Sequence, residues 1–280
     1  MIKRLIAGGR QFLGLHAPGR NLRVLPDDIF LVSYPKSGST WTRFLIANLA
    51  YPEKNPDFSN INDLIPDPEA MAKRDLDRAP RPRMLKSHDC FDPRFRKVVY
   101  IVRDPRDVAL SEYYFDIKRR AIPEDFPLTK FVSRFVRGEL NHSHGTWGEN
   151  VATWFYTRAH DSRFLLVRYE SLQVNGMQEL RRIAEFLRIS ADDQRLAFAL
   201  EQSSANRMRE LEKKQAHLWS STRETRKDKP FVRAAKSGVW KMELPASSVG
   251  EIEAAWATLM QEIGYELTSV LVQSPYLLQK

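Results

Sequence analysis

The sequence predicts an α/β protein, a single domain with a central parallel β-sheet flanked by helices. Short apolar runs rich in Val, Ile, Leu and Phe recur at Ile29–Val32, Lys97–Arg103 and Phe164–Tyr169. Helix-like stretches separate them, and such alternation requires parallel strands joined by crossovers. A hydrophobic fraction of 42% over 280 residues is enough for a core, and no internal repeat or low-complexity tract interrupts it. One domain over 1–280 accommodates the whole pattern.

In chain order, Ile29-Phe30-Leu31-Val32 is the first strand. It ends in a turn of Pro35, Ser37, Gly38, Ser39 and Thr40, and a helix follows with Phe44, Leu45 and Leu49. Tyr51–Pro82 is rich in Pro, Asp and Asn and reads as loops with short helices. Arg83–His88 is a short strand ending in polar residues. Lys97–Arg103 carries Val98, Val99, Ile101 and Val102, a strongly β-like run, and Asp104–Lys118 then turns helical. Phe164–Tyr169 is a further buried strand. Leu180, Ile183, Ala184 and Leu187 recur at helical spacing within Met177–Leu187. Arg207–Lys236 is polar and basic and reads as a mobile segment or lid. Ser248–Leu267 is an amphipathic helix that turns Ile252, Ala255, Trp256 and Met260 to one side.

Composition narrows the function. The formal net charge is +9, which calls for an anionic partner: nucleotide, nucleic acid or acidic membrane surface. The lone Cys90 excludes an intrachain disulfide and a Cys-rich metal site, and fits a reducing compartment. The six histidines show no HExxH-like spacing, and His142 and His144 read as ordinary loop residues. No apolar run approaches a membrane span. The basic, apolar segment 1–20 reads as a terminal tail, with a short amphipathic helix on a membrane surface as the alternative.

The turn after the first strand has the make-up of an anion cradle. Its amides and the helix N-terminus point at one spot, and Lys36 adds a charge there. It is not the GxxxxGK[ST] loop, because Lys36 precedes the only Gly and Trp41 follows the hydroxyls. Trp41 offers a flat face to a base; the plainer alternative is a core Trp behind a capping Ser. The second strand–helix unit repeats the logic. Its strand delivers Arg103 to the carboxyl end, where open α/β sheets hold ligands, and Ser111 lies eight residues on. Arg and Ser suit a phosphate, the alternative being an ion pair of Arg103 with Asp104 or Asp107.

Tyr34–Trp41, YPKSGSTW, resembles the 5′-phosphosulfate loop of the cytosolic-type sulfotransferases, enzymes that use 3′-phosphoadenosine 5′-phosphosulfate (PAPS). Lys97–Phe115 resembles the family's 3′-phosphate motif, with Arg103 and Ser111 in its phosphate-binding positions. Three more stretches extend the likeness. Gly145-Thr146-Trp147 through Val151 and Trp154 looks like the family's GSWxxHVxxW run, with Asn150 in place of its His. Tyr169-Glu170-Ser171-Leu172 resembles YEDL, whose Tyr contacts adenine. Phe231–Lys241 resembles the closing RKGxxGDWKN motif, with Arg233 in the 3′-phosphate position.

The resemblance implies a P-loop-kinase-like sulfotransferase fold and in-line sulfuryl transfer from PAPS to an acceptor hydroxyl. Lys36, Ser37, Gly38, Ser39, Thr40, Trp41, Arg103, Ser111, Tyr169, Arg233, Ala234 and Lys236 would hold the cofactor. His88 would be the base, Lys36 would stabilise the leaving phosphate, and Lys86 would hold the sulfuryl oxygens. No metal is expected, since lysines can stand in for cations on the weakly charged sulfuryl group. On its own residues His88 also reads as a loop histidine paired with Asp89.

The chain departs from the family in three places. Ala234-Ala235 replaces Lys-Gly in the closing motif, and Lys236 is the candidate substitute. Ala205 stands where an aromatic usually sandwiches adenine. Pro245, Ala246 and Gly250 replace the Thr, Val and Glu of the family's dimer motif, so that dimer is not carried over.

The expected partner is a small-molecule, carbohydrate or lipid-linked hydroxyl acceptor, with no nucleic acid, in the cytoplasm or at a membrane surface. A nucleotide-dependent kinase on a related fold is the alternative enzyme. It lacks the GK[ST] and a Mg²⁺ carboxylate after a strand. A basic nucleic-acid-binding protein is the alternative outside catalysis.

Overall fold

The computed structural model describes residues 22–71, 73–140, 143–219 and 221–268. The basic segment 1–20 and His142 lie outside the described residues.

Four strands form one sheet: β1 (Ile29–Ser33), β2 (Met84–Ser87), β3 (Lys97–Val102) and β4 (Phe164–Arg168). Their order is β2-β1-β3-β4, and all three pairings are parallel. Alternation along each strand divides the core in two. Phe30, Val32, Val98, Tyr100 and Val102 face one apolar layer with Trp147, Trp154, Ile252 and Met260. Leu31, Val99 and Ile101 face the other with Phe44, Leu45, Ile183 and Leu187. Pairing Phe30 with Val98 and Leu31 with Val99 keeps each layer continuous. Burial on both faces is why the strands read as unbroken apolar runs.

The helices follow the crossovers. They are α1 (Ser39–Ala50), α2 (Ile61–Leu64), α3 (Lys73–Leu76), α4 (Pro105–Lys118), α5 (Leu128–Val136), α6 (Trp147–Arg158) and α7 (Tyr169–Val174). Then come α8 (Gly176–Leu187), α9 (Asp193–Gln202), α10 (Ala205–Gln215), α11 (Trp240–Glu243) and α12 (Ala246–Ile263). Start signals are local. Asp104 caps α4 by accepting from the Arg106 amide and Pro105 fills the first turn; Thr146 and Glu149 form a reciprocal capping box on α6.

Two expectations change. Trp256 has φ −136° and breaks α12. Ala255, just before that break, is exposed rather than sharing the buried face of Ile252 and Met260. The first third of the basic segment 207–236 is the ordered helix α10, and Trp219 beyond it is buried. Arg207, Glu210, Lys213 and Lys214 sit on the outer face, while Met208 and Leu211 pack inward and the buried Glu212 accepts from the amides of Phe231 and Val232.

β1 lies between β2 and β3, so the chain leaves it first to one side and later to the other. A crevice opens at the carboxyl ends of strands where such a switch occurs. The register aligns those ends: Val32 pairs with Ser87, Ser33 with Ile101, and Val102 with Arg168.

Candidate active site

A cavity of about 490 Å³ occupies that edge. Each strand is followed by a residue on its wall: Lys36 after β1, His88 after β2, Arg103 after β3 and Tyr169 after β4. Residues 15 to 133 positions apart in sequence therefore meet because the strands end in register.

The first wall is the turn into α1. The Ser37 amide donates to the Tyr34 carbonyl at 3.2 Å. Lys36 and Gly38 both have positive φ, 63° and 97°, which folds the loop back under the helix start. A Cβ on Gly38 would lie 2.6 Å from the Tyr169 ring, so only glycine fits. No side chain caps α1 and its first turn holds no acid, so its amides and dipole are left to an anion. Ser37 Oγ is buried with no partner among the described residues. The Lys36 ammonium rests 3.7 Å from the Phe115 ring centroid and 4.8 Å from that of Phe231. Burial, opposed by Glu112 and aided by Arg103, lowers its pKa to about 8.

The second wall surrounds Arg103. Its guanidinium lies 4.4 Å from the Tyr169 ring centroid and donates to the Lys36 carbonyl at 3.3 Å and the Lys236 carbonyl at 3.2 Å. Its Nε is buried without a partner among the described residues. The ion pair considered for it goes elsewhere: Asp104 takes Arg106 at 2.7 Å, and Asp107 accepts from the amides of Gly238 and Trp240. Asp107 thus ties the closing segment to α4. Ser39, Thr40 and Ser111 line the same cavity. Arg233 lines it too, paired with Glu243 at 3.0 Å and stacked 4.2 Å from the Tyr114 centroid. Ala234 lines the wall, whereas Lys236 meets Arg103 through its backbone carbonyl. Ala235, at the family's glycine position, has φ 50° and is strained.

Trp41 is anchored by its indole N–H to the Ser203 carbonyl at 2.9 Å and meets Tyr169 edge-on at 5.4 Å. Ala205, Met208 and Trp219 join this wall. The sequence offers Trp219 only as one of several aromatics for an acceptor pocket and does not place it on this wall, because it sits in a polar segment with no periodic signal. Its indole N–H is buried without a partner among the described residues.

The third wall carries the titrating groups. His88 Nδ1 lies 2.6 Å from the Ser33 carbonyl, which places the ring proton on Nδ1 and leaves Nε2 with a lone pair. Burial, then Lys86 and His144, hold its pKa well below the usual range, so it is neutral at pH 7. The pairing of His88 with Asp89 does not occur; Asp89 accepts from Ser87 Oγ at 2.9 Å instead. Asn150 explains its departure from the family pattern. It accepts from Tyr100 Oη at 2.7 Å and donates to the His88 carbonyl at 2.9 Å. Lys86 lines the cavity but is ion-paired with Asp67 at 2.9 Å. His144, read from sequence as an ordinary loop residue, is buried on the cavity wall with its ring 5.6 Å from that of His88. Burial and Lys86 push its pKa to about 4.

A parallel sheet, an uncapped helix start beside Lys36 and a buried histidine near it are an arrangement suited to group transfer from an anionic ligand. The sequence profile of the family described as sulfotransferase domain matches residues 26–264. The chain belongs to that family and is a sulfotransferase. Sulfotransferase 1B1 of Canis lupus familiaris is 28% identical over 233 residues, 77% of each chain. Among solved structures, mouse sulfotransferase SULT7A1 complexed with PAP has a TM-score of 0.68 at 23% identity, over 84% of each chain. Retinol dehydratase in a complex with retinol and PAP has a TM-score of 0.69 at 20% identity, over 93% of this chain and 88% of its own. Those two likenesses establish the fold.

Proposed function

We propose that the cavity binds PAPS across its first two walls and that His88 deprotonates an acceptor hydroxyl on the third. The observation that carries this is His88 itself: neutral, locked through Nδ1 on the Ser33 carbonyl, and on one cavity wall with the anion cradle. The donors present suit the cofactor. Buried Ser37 Oγ and Arg103 Nε have no partner among the described residues, and the Gly38 backbone leaves room where any side chain would collide. Bound PAPS supplies an activated sulfuryl group on a phosphate leaving group.

Lys36 and the first-turn amides of α1, with Ser39 and Thr40, bind the 5′ end. Arg103, Ser111 and Arg233 bind the 3′-phosphate, Arg233 turning away from Glu243 to do so. Trp41, Tyr169 and Trp219 wall the base. Lys86, oriented by Asp67, faces the transferred group. Asn150 holds the His88 backbone and acts as a positioning residue. Ala234 contributes backbone, and Phe231 in the 207–236 segment closes the cavity beside Lys36. The acceptor is a small molecule bearing a hydroxyl.

Titration with adenosine 3′,5′-bisphosphate and with ATP–Mg²⁺ tests this. Tight, metal-independent binding of the bisphosphate, together with sulfate transfer from labelled PAPS to a hydroxyl, is the expected result. Binding of ATP alone would indicate a kinase and overturn it.

A further inference from the structure

We propose that Glu69, Asp89 and His144 form a binding site for a divalent first-row cation of the Zn²⁺ type on the acceptor side of the cavity. Their ligand atoms lie within 4.8 Å of one another although the residues come from three separate segments. Glu69 follows α2, Asp89 follows β2, and His144 precedes α6.

His144 is the independent sign of a ligand. It is only 8% exposed, and its Nδ1 is buried with no partner among the described residues. Its Nε2 stands 3.9 Å from Glu69 Oε1, beyond hydrogen-bond reach. Nε2 thus faces the Glu69 carboxylate across a gap that two bonds to one cation would span, and neither ring nitrogen has a hydrogen-bond partner among the described residues. Neighbouring carboxylates reinforce this. A third carboxylate, Asp67, stands beside them. Lys86 answers part of that charge, at 2.9 Å from Asp67 and 3.9 Å from Glu69. Ser87 Oγ donates to Asp89 and leaves its other carboxylate oxygen for the ion.

One imidazole and two carboxylates suit Zn²⁺ and Mn²⁺ better than Mg²⁺, which prefers oxygen donors and keeps its waters. Bonds of about 2.0–2.2 Å require ligand atoms within about 4.2 Å of each other. The 3.9 Å between Glu69 and His144 already meets this, and side-chain rotation brings in the third ligand. The site is separate from the phosphate cradle and does not depend on the nucleotide reading.

The test is calorimetric titration of the full, chelator-stripped chain with ZnCl₂ at pH 7.5, with MgCl₂ as comparator. One Zn²⁺ per chain is expected, unchanged within about twofold by saturating adenosine 3′,5′-bisphosphate. Glu69→Gln should weaken Zn²⁺ at least tenfold, and His144→Ala more, while Mg²⁺ gives no saturable binding. Glu69 is partly exposed, so its variant keeps the fold and keeps the test decisive. Absence of stoichiometric Zn²⁺ binding, or Zn²⁺ affinity unmoved by Glu69→Gln, overturns the site. Failure of nucleotide binding in the same protein would instead overturn the proposed function.

Discussion

The two halves of the cavity are built by opposite strategies. The cradle half rests on backbone: a strand end, two positive-φ residues and an uncapped helix, all within Ile29–Ala50. The His88 half rests on side chains drawn from β2, the loop after α2 and the start of α6. Backbone sites are encoded in one stretch of sequence because local geometry makes them. Side-chain sites need the sheet to bring distant segments together. The halves should therefore fail differently when altered, the cradle in binding and the histidine wall in turnover.

His88→Ala sets the largest contrast. Turnover should fall by about 10²–10⁴-fold, the usual worth of a positioned base, while bisphosphate affinity stays within a few-fold. Steady-state rates beside calorimetry check this; unchanged turnover would remove His88 as the base.

Gly38→Ala attacks the other half. The new Cβ would sit 2.6 Å from Tyr169 at a φ of 97°, so loop and ring must separate. Bisphosphate affinity should drop at least tenfold, with about 1–3 kcal/mol lost in a denaturant melt. Retention of full affinity would show that the loop does not form the cradle.

Protonation of Lys36 sharpens the comparison next. Its pKa of about 8 lies below the ordinary 10.5, so the unbound side chain loses its charge as pH rises through 8. An anion raises that pKa, so binding at pH 8.5 should take up protons, up to one per site. Affinity should fall as pH climbs above 8. Calorimetry in two buffers of different ionisation enthalpy measures the uptake, and Lys36→Arg should abolish it. The same depression bears on folding. Between pH 8 and 10.5 the unfolded chain holds the extra proton, so this group's contribution to stability grows with pH across that window.

The smallest effect belongs to Ala235→Gly. Relief of a φ of 50° should stabilise the fold by up to about 1 kcal/mol, partly offset by the flexibility of glycine when unfolded. Bisphosphate affinity should change less than threefold, which a melt and a titration together resolve. A loss of stability would mean that Ala235 is not strained.

Legibility followed the same division. Strand ends and the α1 and α4 starts were readable because Val, Ile and Phe runs, Gly38, Pro105 and the Asp104 cap act locally. The break in α12 was not, because an exposed Ala255 beside Ile252 obeys the same composition as a buried one. Trp219 and His144 could not be assigned to these walls for a related reason. Each lies in a polar stretch, and burial there comes from packing against Phe58 or His88 rather than from a periodic neighbour. Lys86 was readable as a cavity residue, yet its partner Asp67 stands 19 positions away and only the fold joins them.

By itself the sequence determined a parallel α/β sheet, the strand–turn–helix unit around Tyr34–Trp41, and Arg103 and His88 at strand ends. These depend on contacts within a few residues, where residue type and spacing dictate the backbone. Only the tertiary structure decided which tautomer His88 holds, what Asn150 is for, and where Lys86, Arg233 and His144 find their neighbours. Those outcomes depend on strand register, because a side chain's pKa and hydrogen bonds are set by whatever the sheet places beside it.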